Sequence, residues 1–340
     1  MTSMDRLRRF RALHRSGGFR GWGGVMAMVA ACVLTGSLTL LPLSHTVGED
    51  PAAPAPQRIS TAVPVAAEDC DPQQSTVRPS DMDGEVIKRI KARKVPKLVV
   101  GIDQNSYRWG YRNPLTKELE GFDIDLVHAI AEEIFGDPNA VTYRAITTSQ
   151  RIPALNDESV DLIVRTMSIN CQRKDEVLFS TAYFETGLQL LAPTGSDITG
   201  YDESLRGKRV CSASGSTAES TLKVESFGAR TTGLSVPNQL DCLVRLQLGL
   251  ADAILTDNSL AAGLMAQDPA IERVGDQFQK EYYGVAGKLG HTDLMARVNK
   301  VLRDYRAGGD DSLWMRSYRK WLEKGLPGVT EPPAAKYAAP

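Results

Sequence analysis

The sequence predicts an α/β protein of two lobes, the second inserted into the first, with two hinge strands joining them. Three observations carry this. Residues 97–166 alternate in β-α-β-α-β order, the alternation restarts after residue 187, and two apolar strand-like runs, 187–193 and 282–289, bracket the restarted part. Such alternation implies parallel sheets with helices over both faces.

In the first lobe, "KLVVGID" (97–103) is an aliphatic, β-branched run and is expected to form a strand. "GFDIDLVHAIAEEIFG" (121–136) has apolar residues at 127, 130, 131, 134 and 135, a helical spacing, with early acids suited to the positive end of the helix. "AVTYRAI" (140–146) is a second strand. "RIPALND" opens a helix with Pro153 in its first turn, where proline is tolerated, and "SVDLIVRT" (159–166) is a third strand. In the second lobe "GLQLLAP" (187–193) and "KRVCSAS" (208–214) are strands, and a helix starts at Gly215-Ser216-Thr217 and runs to about Glu225. "ADAILTD" (251–257) is a strand followed by the helical "NSLAAGLMAQ". "YYGVAGKL" (282–289) returns the chain to the first lobe, and helices follow at 291–306 and 311–324. The first lobe is thus 82–190 with 283–326, and the second is 191–282.

At 340 residues the chain has room for two modest domains and non-globular ends. Its net charge of −1 provides no global field to draw nucleic acid. The charge is uneven, because residues 1–20 carry six arginines against one acid, Asp5. This basic segment, which its arginines predict to lie on the cytoplasmic side, precedes "GWGGVMAMVAACVLTGSLTLLPL" (21–43), which holds no charge and is about long enough to cross a bilayer. One expectation is an uncleaved membrane anchor. Another is a lipoprotein signal, since Val29-Ala30-Ala31-Cys32 resembles a lipobox and would place a lipid on Cys32; a cleaved signal peptide is a third. All three export the rest of the chain and the first two tether it. Residues 44–81, with six prolines, are expected to be a linker, and 327–340 a Pro-rich tail.

Four further cysteines, Cys70, Cys171, Cys211 and Cys242, are an even number in an oxidising compartment. Cys211 and Cys242 share one segment, which favours that bridge, with Cys70–Cys171 tying down the N-terminal extension. Four buried free thiols are the alternative. These cysteines are far apart and the only histidines are 14, 45, 128 and 291, so no metal site is expected.

In open parallel sheets, ligands bind beyond the carboxyl ends of strands. Asp103, Tyr107 and Trp109 follow the first strand, Arg151 follows the second, and Arg165, Thr166, Ser168 and Arg173 end or follow the third. In the second lobe Ser216 and Thr217 sit at a helix N-terminus, and Asp257 ends a strand. A helix N-terminus and an arginine fork suit a carboxylate, and an aspartate suits an ammonium group. Together they describe the backbone of a free α-amino acid. Arg151 and Arg165 are then spare positive charges, one of which could hold a side-chain carboxylate. Each residue also has a plainer role: Arg151 as a solvated helix start, Arg173 in a surface ion pair with its acidic neighbours, Asp257 as an N-cap, Thr166 and Ser168 as turn residues, Tyr107 and Trp109 as core. Arg165, charged within a covered strand, requires a partner. No GxGxxG, GxxxxGK[ST], HExxH or GxSxG motif is present, so no enzyme class is indicated.

The pieces "VVGID", "GFDIDLVHAIAEEI", "SQRIPALNDESVDLIVRTMSINCQRKDEVLFST", "GKRVCSASGST", "DAILTDN" and "SYRKWL", in this order, resemble the polar amino-acid family of extracytoplasmic solute-binding proteins of ABC transporters, family 3, over about residues 85–325. The linker, cysteines and tail are similar to the actinobacterial glutamine/glutamate-binding lipoprotein type. The resemblance implies a periplasmic-binding-protein-like (type II) fold, a monomer without cofactor or catalytic activity, and a free amino acid as ligand. It implies that Thr166, Ser168 and Arg173 hold the α-carboxylate, with Ser216 or Thr217 from the other lobe, and that Asp257 holds the α-amino group. Arg151 matches the arginine that contacts the side-chain carboxylate in aspartate and glutamate binders. Arg165 stands where many members have a small residue, and Asp103 where dicarboxylate binders can have arginine. The expected ligand is therefore glutamate, then aspartate, then glutamine or asparagine. The expected partner is a membrane permease, or a membrane sensor protein linked to a cytoplasmic kinase. The contrasting class is a cleft enzyme on the same scaffold, similar to cyclohexadienyl dehydratase, which would need a general acid and no amino-group partner.

Overall fold

A computed structural model describes residues 70–338 of the chain. The expected anchor or signal at 21–43, its lipidation candidate Cys32 and most of the linker lie outside the described residues. Among the described residues, no helix is long and apolar enough to cross a membrane.

The strands, in chain order, are β1 (Gln74–Ser75), β2 (Leu98–Ile102), β3 (Asn105–Ser106), β4 (Gly110–Arg112), β5 (Leu119–Glu120), β6 (Val141–Ala145), β7 (Leu162–Ile163), β8 (Val177–Phe179), β9 (Phe184–Pro193), β10 (Val210–Ala213), β11 (Ser235–Val236), β12 (Ala253–Asp257), β13 (Ile271–Tyr283), β14 (Ala286–Lys288) and β15 (Lys336–Tyr337). The helices are α1 (Glu85–Lys91), α2 (Phe122–Phe135), α3 (Arg151–Asn156), α4 (Cys171–Lys174), α5 (Thr217–Val224), α6 (Gln239–Gln247), α7 (Asn258–Gln267), α8 (Thr292–Arg306) and α9 (Leu313–Trp321).

Two five-stranded sheets form the two lobes, in the orders β6-β2-β7-β14-β8 and β11-β10-β12-β9-β13. Each is parallel on one side, β6-β2-β7 and β11-β10-β12. Each turns antiparallel where the crossing segments join it, at β14 in the first sheet and at β9 and β13 in the second. The all-parallel expectation is corrected to this extent, because a strand that returns from an inserted lobe enters in the opposite direction. The expected crossing strand 282–289 is divided into the end of β13 and β14. At the break, the Gly284 N–H bonds the Met167 carbonyl, tying the crossover to the segment that leaves β7.

The third expected strand, 159–166, pairs only at Leu162–Ile163, and the chain then leaves the sheet with Thr166 at φ +42°. A threonine in the left-handed region is strained unless neighbouring contacts impose it. Gly121, just before α2, has φ +130°, and a Cβ there would collide with the Trp109 carbonyl.

Aromatic rings fill the region between the lobes. Trp109 meets Phe184 edge-on at 4.8 Å, Phe122 at 5.5 Å and Tyr283 at 5.5 Å. Its indole N–H reaches the Ser259 carbonyl of α7 at 3.1 Å, so Trp109 is core and not ligand wall. Burying a ring this size is a major contribution to stability.

Both terminal segments pack where composition suggested linker and tail. β1 pairs in parallel with β15, Ser75 Oγ donates to the Phe179 carbonyl, and the Asn299 amide donates to Ser75 and Val77. Polar contacts and a disulfide hold these segments, which is why apolar periodicity did not mark them. Cys70–Cys171 and Cys211–Cys242 are both bridged, as expected, with Cα–Cα distances of 6.0 and 5.6 Å.

Candidate functional site

The carboxyl ends of β2, β6 and β7 face those of β10 and β12 across a narrow cleft. Thr148, Arg151, Arg165, Thr166, Ser168 and Arg173 line it from the first lobe, and Ser216, Thr217, Gln239, Thr256 and Asp257 from the second. In this conformation the side chains fill most of the space, leaving a cavity of about 20 Å³, room for roughly one water.

Arg151 and Arg173 are buried, at 4% and 8% exposure, so neither is a solvated surface residue. Arg151 donates to the Thr148 carbonyl at 2.8 Å, and Arg173 to the Ser168 carbonyl at 2.6 Å. Both guanidinium groups then converge on a single atom of the other lobe, the Gly215 carbonyl, at 3.1 and 3.0 Å. Neither forms a salt bridge with a carboxylate among the described residues. Burial pushes both below the usual arginine range, and Arg151 is pushed further by the neighbouring charges of Arg173 and Arg165. Gly215 has φ +77°, and a Cβ there would stand 3.0 Å from the Ser149 Cα of the first lobe.

Arg165 has the partner that its position required. It is 2% exposed and pairs with Asp103, also 2% exposed, at 2.9 Å. Its remaining donors reach the Ile146 carbonyl, the Thr148 hydroxyl and, across the cleft, Asn238 Oδ1 at 2.8 Å. The expectation that Arg165 is a spare positive charge is therefore corrected. Asp103 neutralises it, and it braces the cleft wall. Tyr107 is a second correction: it does not line the cavity, and its ring packs edge-on against Tyr111 at 5.0 Å.

Asp257 makes no side-chain cap for α7, although it precedes that helix. Its carboxylate accepts from the Tyr283 hydroxyl, which in turn lies 2.6 Å from Ser259 Oγ. Burial and the nearby Glu281 carboxylate push its pKa well up. Ser216 caps α5 by accepting from the Glu219 N–H, and Thr217 begins that helix.

Sequence reasoning missed two acids. Asp123 lies beneath Thr166: it accepts from the Thr166 N–H at 3.2 Å and the Tyr183 hydroxyl at 2.9 Å, and burial takes its pKa up to about 7. This bond helps impose the positive φ at Thr166. In "GFDID" the same residue reads as a helix-start acid. Glu281, 5% exposed on β13, accepts from the Ser168 hydroxyl and, at 3.0 Å, from the Thr217 hydroxyl. β13 itself is a largely polar, irregular edge strand, so no periodicity in the sequence could have placed this side chain.

Two lobes, a double crossover and a polar cleft define a type II two-lobed binding protein. The chain belongs to the bacterial extracellular solute-binding proteins, family 3, whose sequence model matches residues 98–324. It is 33% identical over 228 residues to the ABC transporter glutamine-binding protein GlnH of Bacillus subtilis, covering 67% of this chain and 82% of that one. It is 27% identical over 283 residues to an L-glutamate/L-aspartate-binding protein of Pseudomonas aeruginosa, covering 80% and 89%. Among solved structures, an ancestral arginine-binding protein bound to glutamine matches at a TM-score of 0.59 and 31% identity, over 66% of this chain and 97% of that one. An arginine-binding protein from T. maritima matches at 0.64 and 27%, over 70% and 100%.

Proposed function

We propose that this protein binds a free acidic amino acid between its lobes, glutamate ahead of aspartate and both ahead of their amides, without catalysing a reaction. The supporting observation is the convergence of two buried guanidinium groups, Arg151 and Arg173, on one carbonyl oxygen with no carboxylate partner. Buried charge without a salt-bridge partner is costly, and an anion placed between the two groups relieves it. In this reading Arg173, with Thr166, Ser168, Ser216 and Thr217, holds the α-carboxylate, Arg151 holds the side-chain carboxylate and Asp257 holds the ammonium group. The B. subtilis and P. aeruginosa relatives are named for glutamine and for glutamate/aspartate, which supports the amino-acid class.

Glutamine is the second reading. Arg151 and Arg173 share the cavity with Asp257, and the Glu281 carboxyl group lies near Arg173, a set of charges that suits a net-neutral zwitterion. The dehydratase-like alternative lacks a histidine in the cavity wall, and the acid that the wall offers it is Asp257.

The cavity is far smaller than an amino acid, so the lobes must separate for one to enter and then close on it. The closed form would be recognised by a membrane permease or a membrane sensor protein, with the chain outside the membrane, tethered through its N-terminal segment and monomeric. A thermal-shift screen of the twenty amino acids tests the proposal. Glutamate should raise the melting temperature most, and Arg173→Ala should abolish the effect. A glutamate shift that survives in that variant, or a larger shift with glutamine, contradicts it.

A further inference from the structure

Glu281 occupies an unexpected place. It lies on β13, close to where that strand passes toward the first lobe, and its Oε2 accepts hydrogen bonds from Ser168 of one lobe and Thr217 of the other. Its Oε1 accepts from the Gln279 side chain at 3.1 Å. No cation lies within salt-bridge distance of it among the described residues, and neutral donors hold its buried carboxyl group. As scaffolding this is a poor choice, because a buried carboxylate without an ion-pair partner carries a large desolvation penalty.

The two hydroxyls it engages, one from each lobe, are among the four assigned above to the ligand's α-carboxylate. A serine or threonine hydroxyl has one proton and donates to one acceptor at a time. Ser168 and Thr217 cannot donate both to Glu281 and to a second carboxylate. We propose that Glu281 is an internal competitor for the α-carboxylate subsite, displaced when the ligand binds, and that it sets both affinity and charge preference. The proposal rests on the amino-acid reading of the cleft.

Displacement has somewhere to go. β13 is the edge strand of its sheet, its pairing register slips between Phe278 and Lys280, and the exposed Gln279 has φ +48°. The strand is irregular just ahead of Glu281, and its outer side borders solvent. Displacement also alters the charge of the cavity. With Glu281 inside, Arg151 and Arg173 are matched by Asp257 and Glu281; with Glu281 outside, one positive charge is in excess. A ligand that carries a second carboxylate fits the latter state, so ejecting Glu281 and selecting an acidic ligand are a single event.

The test is calorimetric titration of glutamate and of glutamine into the full-length protein and its Glu281→Gln variant. Glu281→Gln keeps the shape and removes the charge. It should tighten glutamate binding by about tenfold or more, the scale of one charge-assisted hydrogen bond, and tighten glutamine less. Glu281→Asp, one methylene too short to reach both hydroxyls, should give a smaller gain in the same direction and stands in if the first variant does not fold. Unchanged affinity overturns the proposal. Weakened affinity overturns it too, and would make Glu281 a partner of the ligand's ammonium group. If the wild-type protein and both variants bind no amino acid, the reading of the cleft fails with it; if the wild type binds and the variants show no gain, only the role of Glu281 fails.

Discussion

At the scale of the residue, the site is built on opposed charges whose protonation is displaced by burial. Asp257 is pushed well up and Asp123 up to about 7, against an ordinary value of 3.8. A folded-state pKa above the unfolded one means that, between the two, the native protein holds protons that the unfolded chain has released. Stability from these two groups is complete below the unfolded value and is lost as pH rises through about 7. Ligand binding runs the other way, because an ammonium group needs ionised Asp257. Between pH 8 and pH 6 the melting temperature without ligand should rise while amino-acid affinity falls. Affinity that is flat or higher at pH 6 contradicts the ammonium role of Asp257. The residue types of this site were legible in the sequence because arginine, threonine, serine and aspartate stand at strand ends, where the topology needs polar groups. The pairings were not legible. Arg165 meets Asp103 across 62 residues of chain, and nothing local distinguishes that buried pair from a free cation.

At the scale of the element, α4 is a four-residue helix carrying Arg173, and three contacts fix it. Asn170 caps it by accepting from the Arg173 N–H at 2.8 Å, Lys174 donates to the carbonyls of Asp71 and Gln74, and Cys171 is bonded to Cys70. The bridge ties the N-terminal segment beneath the helix that presents the guanidinium group. Replacing Cys70 and Cys171 together with serine should lower stability by about 3 kcal/mol, a few degrees in melting temperature, and should weaken ligand binding as α4 loosens. A variant that melts lower but binds as before would separate the bridge from the site. A strong element such as α2 is evident from its apolar spacing. β13 and α6 are not, since the first is polar along most of its length and the second, "QLDCLVRLQ", is short and only partly apolar. The segments at 70–80 and 327–338 read as linker and tail because disulfide and polar contacts, which leave no periodic trace, hold them in place.

At the scale of the whole molecule, contacts that cross the cleft hold the lobes together. The Gly215 carbonyl accepts from Arg151 and Arg173, Asn238 from Arg165, the Pro237 carbonyl from the Thr148 N–H, and the Ser259 carbonyl from Trp109. Several of these bonds end on the side chains that the proposed ligand would engage, so a ligand would exchange protein–protein bonds for its own, and its affinity would report the difference. The two-lobe topology follows from the order of the strands and was visible in the sequence; the closeness of the lobes depends on these individual side-chain meetings and was not. The most direct measurement is calorimetric titration of glutamate and glutamine into the wild-type protein and Arg151→Ala. Loss of Arg151 should weaken glutamate binding by at least about a hundredfold, as expected for a buried charge-assisted pair, and glutamine binding far less. Equal losses for the two ligands would contradict a cleft in which Arg151 meets an acidic side chain.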